Sequence, residues 1–232
     1  MSDNKHFFII AGERSGDIHG GMLMNSIKDI NSNIEFSGIG GDSMEAAGLQ
    51  SMFPINKMAV VGFVEVIKHL NFFKEVEQTV LKAIKTKRPD RIILIDFPGF
   101  NLRIAKKIKT QFQIPITYYI SPQLWAWKEN RIQIVKQYID QMLVILPFEQ
   151  EWYSKRGVNV DWIGHPYLDH QNIDMTKDEL KEALEHFIIG IAKSGFIAHA
   201  SHESHYLNFY QLYLNGFKNR SGEPYSSAEQ II

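Results

Sequence analysis

The apolar run Ile93-Leu94-Ile95 ends in Asp96, and Phe97-Pro98-Gly99-Phe100-Asn101 follows at once. Proline and glycine force a turn there, so the spacing predicts a strand, a carboxylate on its carboxyl end, and a helix opening at Asn101. Open α/β sheets hold ligands in the crevice beyond the carboxyl ends of their strands, which makes Asp96 a candidate for proton transfer. The competing reading is local, with Asp96 capping the turn before Pro98.

Two glycine clusters follow apolar runs in the same way. Ala11-Gly12-Glu13-Arg14-Ser15-Gly16-Asp17 leads from a strand into a helix, where exposed backbone N–H groups suit a phosphate or sugar oxygen. Neither the dinucleotide fingerprint nor a P-loop is present, and a plain cap formed by Asp17 is the alternative. Ser37-Gly38-Ile39-Gly40-Gly41-Asp42 could line the same crevice or simply turn the chain.

Ser121-Pro122-Gln123-Leu124-Trp125-Ala126-Trp127-Lys128-Glu129-Asn130-Arg131 places two tryptophans two residues apart beside two cations. A helical core stripe does not explain that spacing, so the segment reads as a wall for a carbohydrate or phosphate-bearing ligand, against a buried aromatic plug. His165, between Gly164 and Pro166, is either an acid–base group or a structural hydrogen-bond partner. His186, His199, His202 and His205 complete no known metal signature and read as a solvated face, so no metal is expected.

With 25 Lys+Arg against 26 Asp+Glu the formal charge is −1, which supplies no global field for nucleic acid or an anionic membrane, so any polyanion must be met by a local patch. The chain has no cysteine, which removes disulfides and thiolate chemistry. The N-terminus is too short in apolar residues for a secretory signal and reads as a first strand. Met58 to Ile67 is the most apolar stretch elsewhere, about half the length of a membrane-spanning helix, with Glu65 inside it. Its pattern fits either a buried helix or one that dips into lipid headgroups, with burial favoured on pattern alone.

Apolar runs at 7–11, 34–37, 91–95, 116–120, 142–146 and 160–163 alternate with helical patterns, two of them explicit in Phe73, Val76, Val80, Ile84 and in Leu102, Ala105, Ile108, Phe112. This alternation predicts an α/β fold with a Rossmann-like, doubly wound parallel sheet over 1–169. The remainder, 170–232, is expected to be a divergent, mostly helical tail, opening with a helix at Asp174 to Glu185.

The blocks AGERSGD, GIGGDSM, MAVVGFVEVI, DFPGFNLRIAKK, YYISPQLWAWKENR, ILPFE and GHP, in this order, resemble the N-terminal half of the lipid-A-disaccharide synthase family over about residues 5–169. The resemblance implies the first domain of a B-type glycosyltransferase from lipid A biosynthesis in Gram-negative bacteria. Such an enzyme joins the diacylglucosamine of UDP-2,3-diacylglucosamine to 2,3-diacylglucosamine 1-phosphate, with UDP-sugar as substrate, no bound metal and no cofactor. It implies Asp96 as general base, and Gly12, Glu13, Ser15, Gly16 and Asp17 as the cleft floor. Asn101, Ser121, Trp125, Trp127, Lys128, Arg131 and His165 would meet substrate. Met58, Val61, Phe63, Val64, Ile67, Leu70, Phe72 and Phe73 would meet acyl chains, peripherally on the cytoplasmic face of the inner membrane. The partners implied are lipid-linked sugars; homo-oligomerisation stays open. The family's donor-binding domain, of roughly 150 residues, finds no room after GHP, so the chain is expected to be truncated. The alternative function is a non-catalytic acceptor-domain fragment that binds lipid sugar or a membrane surface.

Overall fold

The structure, a computed structural model, describes residues 5–55, 58, 70–164 and 166. Its strands are β1 Lys5–Ala11, β2 Ile34–Gly40, β3 Leu49–Pro54, β4 Arg91–Ile95, β5 Ile116–Tyr119, β6 Gln141–Val144 and β7 Asp161–Trp162. The helices are α1 Arg14–Ile30, α2 Asp42–Ala46, α3 Leu70–Lys87, α4 Pro98–Phe112, α5 Ile132–Tyr138 and α6 Pro147–Ser154, with a 3-10 turn at Glu129–Arg131. The strands form one sheet in the order β3-β2-β1-β4-β5-β6-β7, every pair parallel.

Side chains alternate across the sheet, and both faces are covered, so β1 and β4 read as continuous apolar runs. Phe8, Ile10, Ile92 and Leu94 pack with Val76, Val80 and Ile84 of α3 and Ile104 and Ile108 of α4. Phe7, Ile9, Ile93 and Ile95 pack on the other face with Leu23, Met24 and Ile27 of α1. The expected parallel α/β architecture is therefore present.

Two local expectations change. The helix after Asp96 opens at Pro98, not at Asn101, because proline needs no N–H partner in the first turn and its fixed φ suits a helix start. The strand β3 has no counterpart among the apolar runs: Gln50, Ser51 and Pro54 break its pattern, which an edge strand tolerates.

At Gly38, φ is +147° and a Cβ would stand 1.8 Å from the Ile9 carbonyl oxygen, so only glycine fits where β2 lies alongside Ile9 of β1. The described residues 5–164 belong to one compact unit; a second, His165–Pro224, lies outside the description except for Pro166. The expected helix at 174–185 and the four histidines of the tail also lie outside it. Among the described residues no helix is long and apolar enough to cross a membrane.

Candidate active site

The sheet order reverses beside β1: β2 and β3 build outward on one side, while β4 to β7 build outward on the other. The loops leaving β1 and β4 diverge at that point and open a crevice at the carboxyl edge. Glu13 follows β1 and Asp96 follows β4, so the topology brings two carboxylates to the switch point.

Glu13 is exposed and Asp96 half-buried. Loss of water pushes the Asp96 carboxyl up to about 6, the Glu13 charge adds to the rise, and a backbone hydrogen bond from Phe97 opposes it. A carboxylate tuned there is ionised near neutrality yet binds a proton far better than an ordinary aspartate.

The turn that holds it is strained. Asp96 and Phe97 adopt φ of 42° and 47°, consecutive left-handed conformations that cost on the order of 1 kcal/mol or more each. Surrounding groups impose them. The Tyr118 hydroxyl donates to the Asp96 carbonyl at 2.6 Å, and Asn101 Nδ2 donates to the carbonyls of Ile95 and Asp96 at 3.1 and 2.8 Å. The Phe97 ring fills the space over Gly12, where a Cβ would lie 2.2 Å from its Cδ1. Gly12 thus serves the close approach of the two loops.

Asn101 is fully buried and braces the Asp96 turn, so a direct contact with an acceptor sugar would require that network to open. Its buried Oδ1 has no partner among the described residues. Asp17 is also turned inward. Its carboxylate accepts from the backbone N–H groups of Gly41, Ser43 and Met44 at 2.7, 3.1 and 3.0 Å, and so caps α2 rather than its own helix. Through these bonds it ties the two glycine clusters together. Ser15 is exposed and Gly16 buried in the first turn of α1.

The tryptophan segment is organised by a residue that the motif reading passed over. Glu149, in the first turn of α6, is 1% exposed. Its Oε1 accepts from Ser121 Oγ at 2.6 Å and Trp125 Nε1 at 3.3 Å, and its Oε2 from the Leu146 N–H at 2.9 Å. Burial raises its pKa, against the pull of these donors. Ser121 and Trp125 are consequently engaged from within. Trp127 is 48% exposed, with the Lys128 ammonium 4.5 Å from its ring centroid, and faces outward. The signal for Glu149 was the strand-end proline at 147, a first-turn residue of a helix, with a carboxylate two residues on that can reach back to the free N–H before it.

Arg131 enters this network through its charge, which acts on the Tyr118 hydroxyl against the rise in pKa that burial causes. It lines a groove on the outer side of α4 that begins at Pro98 and does not include Asp96.

Among the acyl-contact candidates, Met58 is buried within the core. Phe72 and Phe73 are half-buried and belong to an aromatic run, Phe53–Phe72–Phe73–Phe100–Phe97, with centroid separations of 6.4, 5.7, 6.1 and 6.2 Å. This run ends at the residue next to Asp96. Val61, Phe63, Val64, Ile67, the side chain of Leu70, and His165 lie outside the described residues.

A family model for lipid-A-disaccharide synthetase matches residues 7–193. The lipid-A-disaccharide synthase 1 of Legionella pneumophila subsp. pneumophila is 42% identical over 179 residues, covering 77% of this chain and 46% of the relative. The lipid-A-disaccharide synthase of Nitrosococcus oceani is 45% identical over 163 residues, 70% of this chain and 42% of the relative. The chain thus spans less than half the length of these curated relatives. Among solved structures, a putative UDP-N-acetylglucosamine 2-epimerase from Listeria monocytogenes aligns with a TM-score of 0.54 at 13% identity, over 78% of this chain and 51% of that one. The S. aureus MnaA–UDP co-structure aligns at 0.52, also 13% identical, over 75% and 47%. At that identity the likeness is one of fold.

Proposed function

The chain belongs to the lipid-A-disaccharide synthetase family, and on that premise we propose that it forms the acceptor-activating half of a glycosyltransferase of lipid A biosynthesis. The reaction would move diacylglucosamine from UDP-2,3-diacylglucosamine to the hydroxyl of 2,3-diacylglucosamine 1-phosphate. The observation that carries this reading is the strained, half-buried Asp96 beside Glu13 at the topological switch point.

In the proposed step Asp96 takes the proton of the acceptor hydroxyl as that oxygen attacks the anomeric carbon and UDP leaves. Proton transfer needs hydrogen-bond reach and a base whose pKa lies near the working pH; a carboxyl pushed up to about 6 suits the second condition. Glu13 sustains the raised affinity through its charge. Bracing of the Asp96 carbonyl by Tyr118 and Asn101 fixes the turn that carries the carboxylate, so little backbone reorganisation remains when the substrate arrives. The exposed Trp127 with Lys128 offers a stacking face and a cation for a sugar and its phosphate. The aromatic run that ends at Phe97 leads apolar surface up to the base, which supports acyl-chain contact and peripheral attachment to the inner membrane.

Because the chain spans under half of its relatives' length, a second reading stands beside the first: binding of the lipid sugar with no transfer by this chain alone. One experiment separates them. The purified chain is given UDP-2,3-diacylglucosamine and radiolabelled acceptor, with and without the C-terminal half of the Nitrosococcus oceani relative. Disaccharide formed without a partner refutes the binding-only reading. Disaccharide formed with the partner, and abolished by Asp96→Asn, supports the transferase reading. A normal rate in Asp96→Asn removes Asp96 from the role of base.

A further inference from the structure

A groove of about 480 Å³ runs along the outer side of α4, from Gly99 at one end to Thr110 near the other, with Arg131 and Ile134 on the opposite wall. Four of its lining residues, Arg103, Lys106, Lys107 and Arg131, are cations and none is a carboxylate. In a chain of net charge −1 this is a local concentration of positive charge, and the walls of a groove focus its field.

Two of the cations are also held in place. Behind the groove on α3, the buried carboxylate of Glu77 receives Arg103 Nε at 3.1 Å and, through its other oxygen, Lys107. That single negative charge orients two cations and offsets one of four. The Arg103 guanidinium also sits 5.7 Å from the Phe100 ring centroid, and the Lys106 ammonium 6.0 Å from that of Tyr138. Neither ring cancels charge. Beyond Gly99, a Cβ would meet nothing within 4 Å, so that end of the groove is open.

We infer that the α4–α5 groove is a phosphate-binding site, built to take a phosphate monoester or diester between Arg103, Lys106, Lys107 and Arg131. A tetrahedral anion uses donors arriving from several directions, and guanidinium forks paired with ammonium groups match it better than either type alone. Asp96 does not line the groove, although the Arg131 charge reaches Tyr118, and the inference does not rest on the transfer reaction. The phosphate could belong to a soluble sugar or polyol phosphate or to the headgroup of an anionic lipid, and the two sources are distinguished by probe.

The full chain, labelled with ¹⁵N, is titrated at low salt with glycerol 3-phosphate while the amides of Gly99, Thr110 and Gln111 are followed. In parallel it is pelleted with vesicles of phosphatidylcholine alone or with phosphatidylglycerol added. The test variant is Lys106→Gln/Arg131→Gln, which leaves both Glu77 pairs intact. The control is Lys82→Gln/Lys85→Gln, an equal charge change on exposed positions of α3 outside the groove. The expected result is saturable shifts at the groove amides, pelleting by the anionic vesicles, or both. Affinity should fall at least about fivefold in the groove variant and stay unchanged in the control, with the remaining amide spectrum preserved in each. Response to glycerol 3-phosphate assigns a soluble source, and response to vesicles alone a lipid source. No saturable response to either probe, or an equal loss in both variants, overturns the inference.

Discussion

At the scale of single residues, the character of the site comes from a carboxylate kept where water would otherwise stabilise its charge. Its pH signature follows. The Asp96 carboxyl is raised from 3.8 to about 6 in the fold, so its contribution to stability is fully present below about pH 4 and is lost as pH rises through about 6. Asp96→Asn is therefore expected to match the parent below pH 4 and to exceed it by on the order of 2 kcal/mol above pH 7, measured by urea unfolding across that range. A parent that stays equally stable relative to the variant at both ends would contradict the burial. Glu13→Gln removes the like charge, and the Asp96 titration followed by carboxyl ¹³C shifts should move to lower pH. The identity of Asp96 as a site residue was legible in the sequence, since an apolar strand, an acid and a Phe-Pro-Gly turn are contiguous. Its partners were not: Tyr118 is 22 positions away and reaches the Asp96 carbonyl only because β5 pairs with β4.

Elements are joined here by buried carboxylates that serve backbone amides. Asp17 of α1 holds the start of α2, and Glu149 of α6 holds the loop after β5. Asp17→Ala leaves three N–H groups without their acceptor and should cost about 2 to 4 kcal/mol in chemical unfolding. Glu149→Gln nearly preserves volume but turns an NH₂ group toward donors, so it should cost about 1 to 3 kcal/mol and shift tryptophan emission to the red as Trp125 loosens. An unchanged emission spectrum would mean that Glu149 does not hold the segment. Sequence spacing identified both glycine clusters and the tryptophan segment but assigned Asp17 to its own helix as the alternative to a ligand. The true acceptor geometry spans 24 to 27 residues, a separation at which local capping rules say nothing.

For the molecule as a whole, a sheet covered on both faces within one compact unit leads us to propose 1–169 as a self-sufficient domain. Expressed alone, it should unfold in one cooperative transition with the full chain's near-ultraviolet spectrum over its tryptophans; a non-cooperative melt would show that it needs the remaining residues. The sequence by itself determined the class of fold, because hydrophobic periodicity of two and of three to four is a local property that survives without neighbours. It also fixed family membership, through short blocks whose order does not depend on folding. Strand order was decided only by the tertiary structure, since pairing β4 with β1 joins residues more than 80 positions apart. That pairing brings Glu13 to Asp96, because proximity in space is set by packing of the whole sheet rather than by distance along the chain.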